Sequence, residues 1–124
     1  IVADAALVSA AARTRATWAT LATAAGWQVE ATLDRGLYTA DPDTALDQVR
    51  LTPESSATLV VVGHHPTVAS LAQLLDDGEG DAAASVEMML GFPPGSVAVF
   101  EYDGPWAALE WATARLTAYH AGRR

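Results

Sequence analysis

Short apolar runs alternate along the chain with segments of helical period. Ala5-Ala6-Leu7-Val8-Ser9 has the length and continuity of a strand buried on both faces. Ala11 to Ala25 contains no Gly or Pro and places Ala11, Thr14, Trp18, Leu21 and Ala25 at spacings of three and four, which predicts a helix that Gly26 stops. Trp27 to Thr32 alternates apolar and polar residues, the pattern of a strand near a sheet edge, and Leu33 to Ala40 reads as a loop. Asp41-Pro42-Asp43 supplies a capping residue and a first-turn Pro for a helix whose apolar stripe is Ala45, Leu46, Val49 and Leu51.

Thr52 to Ala57 turns the chain into Thr58 to Val62, a run of β-branched and apolar residues that predicts a central strand ended by Gly63. Pro66 to Leu75 reads as a helix, Asp76 to Asp81 as an acidic surface turn, and Ala82 to Leu90 as a further short helix closed by Gly91-Phe92-Pro93-Pro94-Gly95. Ser96 to Tyr102 and Trp106 to Trp111 read as strands flanking a hairpin turn at Asp103-Gly104-Pro105, and Leu116 to His120 as a last strand. Strand, helix, strand, helix, strand, helix followed by strands predicts an α/β sandwich with a mostly parallel sheet, folded as one domain over 1–124.

Charge and composition narrow the chemistry. The formal net charge is −8, and the 7 basic residues are all Arg and scattered apart from Arg123-Arg124, so no basic stripe could follow a nucleic-acid backbone. With 51% apolar residues in 124, the chain can bury a core of ordinary size, yet its apolar runs stop well short of the roughly 20 residues of a membrane span. There is no Cys, which excludes disulfides and thiolate catalysis and fits a cytoplasmic location; abundant Ala and Arg without Lys fit a GC-rich bacterium. The chain opens on Ile1 and enters an apolar strand almost at once, which predicts that a segment lies upstream.

Ligands of open α/β sheets bind beyond the carboxyl ends of the strands, where loops lead into helix starts. Two places have that layout: Ser9 to Arg13, and Gly63-His64-His65-Pro66. Arg13 reads either as a solvated helix residue or as an anion ligand. A cation in the first turn opposes the helix dipole, and a bound anion resolves the conflict. Arg15, about 200° further round the helix, should face away. His64 reads as a structural hydrogen-bond partner or as a second pocket residue. The pair His64-His65 has no Asp, Glu or Cys at ligand spacing, so no metal is expected, and His120 near the tail reads as neutral to function. Ser9 lacks the Gly-x-Ser-x-Gly setting of a serine hydrolase nucleophile.

These segments resemble the histidine phosphatase superfamily. Ser9, with Arg13 four residues on and Thr17 eight on, resembles its second phosphate-binding segment. Leu59 to Pro66 resembles the strand and Gly-His-Asn-Pro turn of its small SixA-type members, the phosphohistidine phosphatases, with His65 at the Asn position. Phe92-Pro93-Pro94-Gly95 and Val97 to Glu101 resemble their Phe-Pro-Thr-Gly turn and late strand.

The resemblance implies a three-layer α/β/α sandwich of the phosphoglycerate-mutase-like kind, incomplete at its N-terminus. It implies a metal-independent, cofactor-free phosphatase acting on phosphohistidine or a small phosphoester. Arg13 would clamp the phosphoryl oxygens, His64 would stabilise transition-state charge, and both with His65 would bind substrate. The nucleophilic His of the family's Arg-His-Gly or Arg-His-Ala motif would lie upstream. Asp34 lies near the carboxylate of larger members, where it reads as a general acid or as an ordinary loop residue. Two alternatives stay open: a non-catalytic phosphate or phosphopeptide binding domain, and a mutase-like transferase of the same fold.

Overall fold

A computed structural model describes residues 3–34, 37, 41–93 and 96–122. Ile1 and Val2, most of the segment 35–40, Pro94 and Gly95 of the Phe-Pro-Pro-Gly turn, and Arg123-Arg124 lie outside the described residues. The chain divides into two compact units, Ile1–Val68 and Ala69–Arg124.

In the first unit, β1 (Ala5–Ser9), α1 (Ala12–Ala25), β2 (Ala31–Asp34), α2 (Pro42–Arg50) and β3 (Leu59–Val62) follow in order. The three strands form a parallel sheet in the order β2-β1-β3. β1 is thus the middle strand, which explains its unbroken apolar run: Ala6, Leu7, Val8 and Ser9 are all buried. β3, expected to be central, takes an outer place in this sheet and is half-buried throughout.

Register at the amino ends is pinned by Asp4. Its carboxylate accepts the N–H groups of Ala57 and Thr58, each at 2.9 Å, while the N–H groups of Asp4 and Ala5 donate to the Thr58 carbonyl. Pairing then runs from Ala5 with Leu59 to Val8 with Val62.

α1 buries Thr14 and Trp18, and Ala22 packs beside them, so its inward line is spaced by four. The expected members Leu21 and Ala25 are exposed instead, because the face that meets β1 drifts with that spacing. Gly26 closes the helix in the left-handed conformation at φ 74°. Trp27 to Glu30 is not strand. Trp27 stacks on Trp18 with ring centroids 6.0 Å apart, and pairing with β1 begins only at Ala31 opposite Ala6. Asp34, expected in a loop, ends β2. α2 begins as expected, with the Asp41 carboxylate accepting the Thr44 N–H at 2.8 Å and Pro42 in the first turn. Leu51 leaves the stripe: it follows the helix and is 74% exposed.

In the second unit, α3 (Thr67–Leu75, starting two residues before the boundary) and α4 (Ala82–Leu90) precede an antiparallel pair, β4 (Val97–Glu101) and β5 (Arg115–His120). Ala72, Ala84, Met88, Leu116 and Tyr119 form its core, with Phe92, Ala98 and Phe100 against it. Burying a side chain such as Leu116 contributes about 1.5–3 kcal/mol. The Asp76 to Asp81 turn comes so close to β5 that a Cβ on Gly80 would collide with the Leu116 carbonyl.

Trp106 to Trp111 is not the expected strand. Trp106–Ala108 is a short 3-10 turn and Leu109 is the buried anchor of the segment, so its apolar content reflects one docked residue rather than a pleat. The turn at Asp103 to Pro105 therefore does not join two strands. The parallel part of the expected sheet is the first unit's, and the last strands pair antiparallel.

Candidate functional site

The carboxyl end of the parallel sheet gathers the first unit's chemistry. β1 ends at Ser9, β2 ends at Asp34, its register partner, and β3 ends at Val62, two residues before His64. The Ala10 N–H donates to the Asp34 carbonyl at 3.1 Å, extending the pairing past the strand ends.

Ser9 is fully buried, an unusual place for a hydroxyl, and its Oγ lies 2.8 Å from His64 Nε2. The donor in this bond depends on the imidazole tautomer. The backbone of Ser9 is held as well: the Thr14 hydroxyl, also buried, lies 2.7 Å from the Ser9 carbonyl and 2.9 Å from that of Ala11. Thr14 thereby ties the first turn of α1 to the end of β1. His64 is half-buried, and its carbonyl accepts the Val68 N–H at 2.8 Å. His65 is exposed, and the His65–Pro66 peptide is cis. Among the described residues a Cβ on Gly63 would meet only Val68, at 3.6 Å, so their packing does not demand glycine there.

Arg13 is the second residue of α1, and its side chain is exposed. α1 has no acidic residue in its first turn, and Ala11, its N-cap, offers no side-chain acceptor. Among the described residues no carboxylate pairs with Arg13 either, whereas Arg50 is paired with Asp47 at 2.9 Å. Among the described residues, the positive end of a helix and a guanidinium thus stand together without a balancing carboxylate, in a chain of net charge −8. Such a place favours an anion, and the planar donor fork of Arg suits the oxygens of a phosphoryl group.

Ser9, Asp34 and His64 are brought to the end of one sheet, with Arg13 at the start of the helix that leaves β1. Arg15 is also exposed and forms part of no such arrangement. His120 is exposed at the end of β5 in the second unit. Two contributions were missed from sequence: the Ser9 hydroxyl as anchor of His64, and Thr14 as anchor of Ser9. The available signal was a polar residue closing a strand buried on both faces. Among the described residues, no three His, Cys, Asp or Glu side chains gather as a metal site, and no helix is long and apolar enough to cross a membrane.

No family model matches the chain. The chain is 36% identical over 121 residues to uncharacterized protein Rv1276c of Mycobacterium tuberculosis H37Rv, covering 97% of this chain and 74% of that protein. It is 32% identical over 87 residues to uncharacterized protein ML1117 of Mycobacterium leprae, covering 70% and 54%. Among solved structures it is similar to the "putative phosphohistidine phosphatase SixA" of Nakamurella multipartitia, with a TM-score of 0.80 and 30% identity over 97% of this chain and 71% of that one. A protein of the same description from Agrobacterium tumefaciens matches with a TM-score of 0.71 at 24% identity, over 97% and 68%, a likeness of fold.

Proposed function

We propose that this chain, which belongs to the SixA-like histidine phosphatase family, is a metal-independent phosphatase acting on phosphohistidine in a protein or on a small phosphoester. The observation that supports this reading is a His64 anchored on Ser9 just past β3 and, in the first turn of the helix that leaves β1, an Arg13 that no carboxylate pairs with among the described residues.

In this mechanism Arg13 clamps the non-bridging oxygens of the phosphoryl group, and α1's first N–H groups add donors. His64 donates to the same group and stabilises the charge that grows in the transition state, while His65 contacts the substrate from the exposed side of the turn. The nucleophile is a further His supplied from outside these 124 residues. Its ring nitrogen bonds to phosphorus as the bond to the leaving group breaks. Water then attacks phosphorus, the P–N bond breaks, and inorganic phosphate leaves with the nucleophile restored.

Labelled phosphohistidine or phosphoester donor, mixed with the full-length protein and quenched in base, should leave label on the protein that acid releases. A protein that turns over substrate without ever carrying such label would end the covalent mechanism. Phosphate binding with no turnover would instead make the chain a non-catalytic phosphate-binding domain of the same fold.

A further inference from the structure

We infer that Ser9 is a positioning residue that fixes the tautomer of His64, holding the ring proton on Nδ1. Ser9 is 0% exposed, and among the described residues its Oγ has one partner, His64 Nε2 at 2.8 Å. A hydroxyl carries one proton to donate, and a buried donor left without an acceptor costs roughly 1–3 kcal/mol. Among the described residues, the acceptor in reach is the Nε2 lone pair. That lone pair exists in the neutral ring only when the proton sits on Nδ1; with the proton on Nε2, the ring would donate to Ser9 and strand the buried Ser9 hydrogen.

The backbone supports this assignment. Thr14 holds the Ser9 carbonyl at 2.7 Å, and the pairing of β1 with β3 fixes the approach of His64, so neither partner can turn away at low cost. Ser9 is also an unsuitable nucleophile, because a fully buried Oγ cannot reach a substrate atom. Its hydroxyl acts on the imidazole and on nothing outside the protein.

With Nε2 occupied as an acceptor, the second nitrogen of the neutral ring is an N–H donor. An N–H donor offers no lone pair to a cation, so while the bond to Ser9 is made the neutral His64 ring cannot serve as a metal ligand. The value of this for catalysis rests on the phosphatase reading; the tautomer itself does not.

The test is the nitrogen spectrum of the His64 ring in protein labelled with 15N-histidine, assigned by comparison with His64→Gln. Wild type should show the Nδ1–H pattern at a pH where the ring is neutral. Ser9→Thr, which keeps the hydroxyl, should show the same, and Ser9→Ala should move toward Nε2–H with a fall in turnover of about tenfold or more. An Nε2–H ring in wild type overturns the proposal, whether or not Ser9→Ala folds, and so does an unchanged tautomer in a folded Ser9→Ala. An Nδ1–H ring in a protein with no phosphatase activity would sink the phosphatase reading and leave this one standing.

Discussion

Ser9 and His64 are 55 positions apart in sequence and 2.8 Å apart in the fold. The contact exists only because β1 and β3 pair in parallel, so the site is a product of tertiary structure and not of either local motif. Removing the imidazole should therefore spare the sheet and cost the chemistry. His64→Ala is expected to lower turnover by about 10²–10³, the usual cost of deleting a transition-state donor. Steady-state kinetics beside a circular dichroism spectrum checks both halves; near-normal turnover would remove His64 from the site.

Arg13 and Arg15 provide an internal control. Both are exposed on α1, but only Arg13 sits in the first turn. Arg13→Ala should raise KM and lower kcat together, and Arg13→Lys should restore little, because an ammonium cannot reproduce the bidentate fork. Arg15→Ala should leave both constants within about twofold, as for a surface charge. Equal losses in the two alanine variants would mean that overall charge, and not a pocket, governs binding.

Gly80 should be among the least tolerant glycines for a steric reason. A Cβ there would collide with the Leu116 carbonyl and lie 2.9 Å from the Leu116 nitrogen, all of it backbone that cannot give way. Gly80→Ala is expected to cost about 1–3 kcal/mol or more in urea unfolding. Gly26→Ala, which meets open space but needs φ 74°, should cost about 1–2 kcal/mol through strain alone.

Asp41 predicts a pH effect. The Thr44 N–H, then the Thr44 hydroxyl, hold its carboxyl below the ordinary value of 3.8, with burial opposing them weakly. A carboxyl depressed in the folded state stabilises the fold above its unfolded value, and the gain disappears as pH falls below 3.8 through the folded value. Asn caps helices as well but does not titrate. Melting wild type and Asp41→Asn in parallel should show wild type losing ground specifically in that acid window; parallel curves would mean the charge of the cap is immaterial.

Local structure is legible in the sequence where one element's own residues decide it. β1 and α4 have the expected bounds, and α1 ends at Gly26 because left-handed geometry at a helix end is written into one residue. Failures came where a distant partner decides. Trp27 to Glu30 alternates like a strand, but Trp27 is spent on Trp18, and no alternation rule can foresee that stacking. Trp106 to Trp111 is apolar because Leu109 docks in the core. At the candidate site, the sequence places Arg13 in the first turn of a helix and His64 just past a strand, and the structure has them there. The Ser9 bond to His64 is not legible in the sequence, since it depends on the register of two strands that share no sequence signal.

That register has a mechanical consequence. Strands rise about 3.3 Å per residue, while a hydrogen bond tolerates only a few tenths of an ångström. The ladder from Ala5 with Leu59 to Val8 with Val62 therefore works as a ruler: one inserted or deleted residue between Leu59 and His64 would carry the imidazole a full graduation past Ser9. Sequence in this stretch is free to drift among β-branched residues, but its length is not.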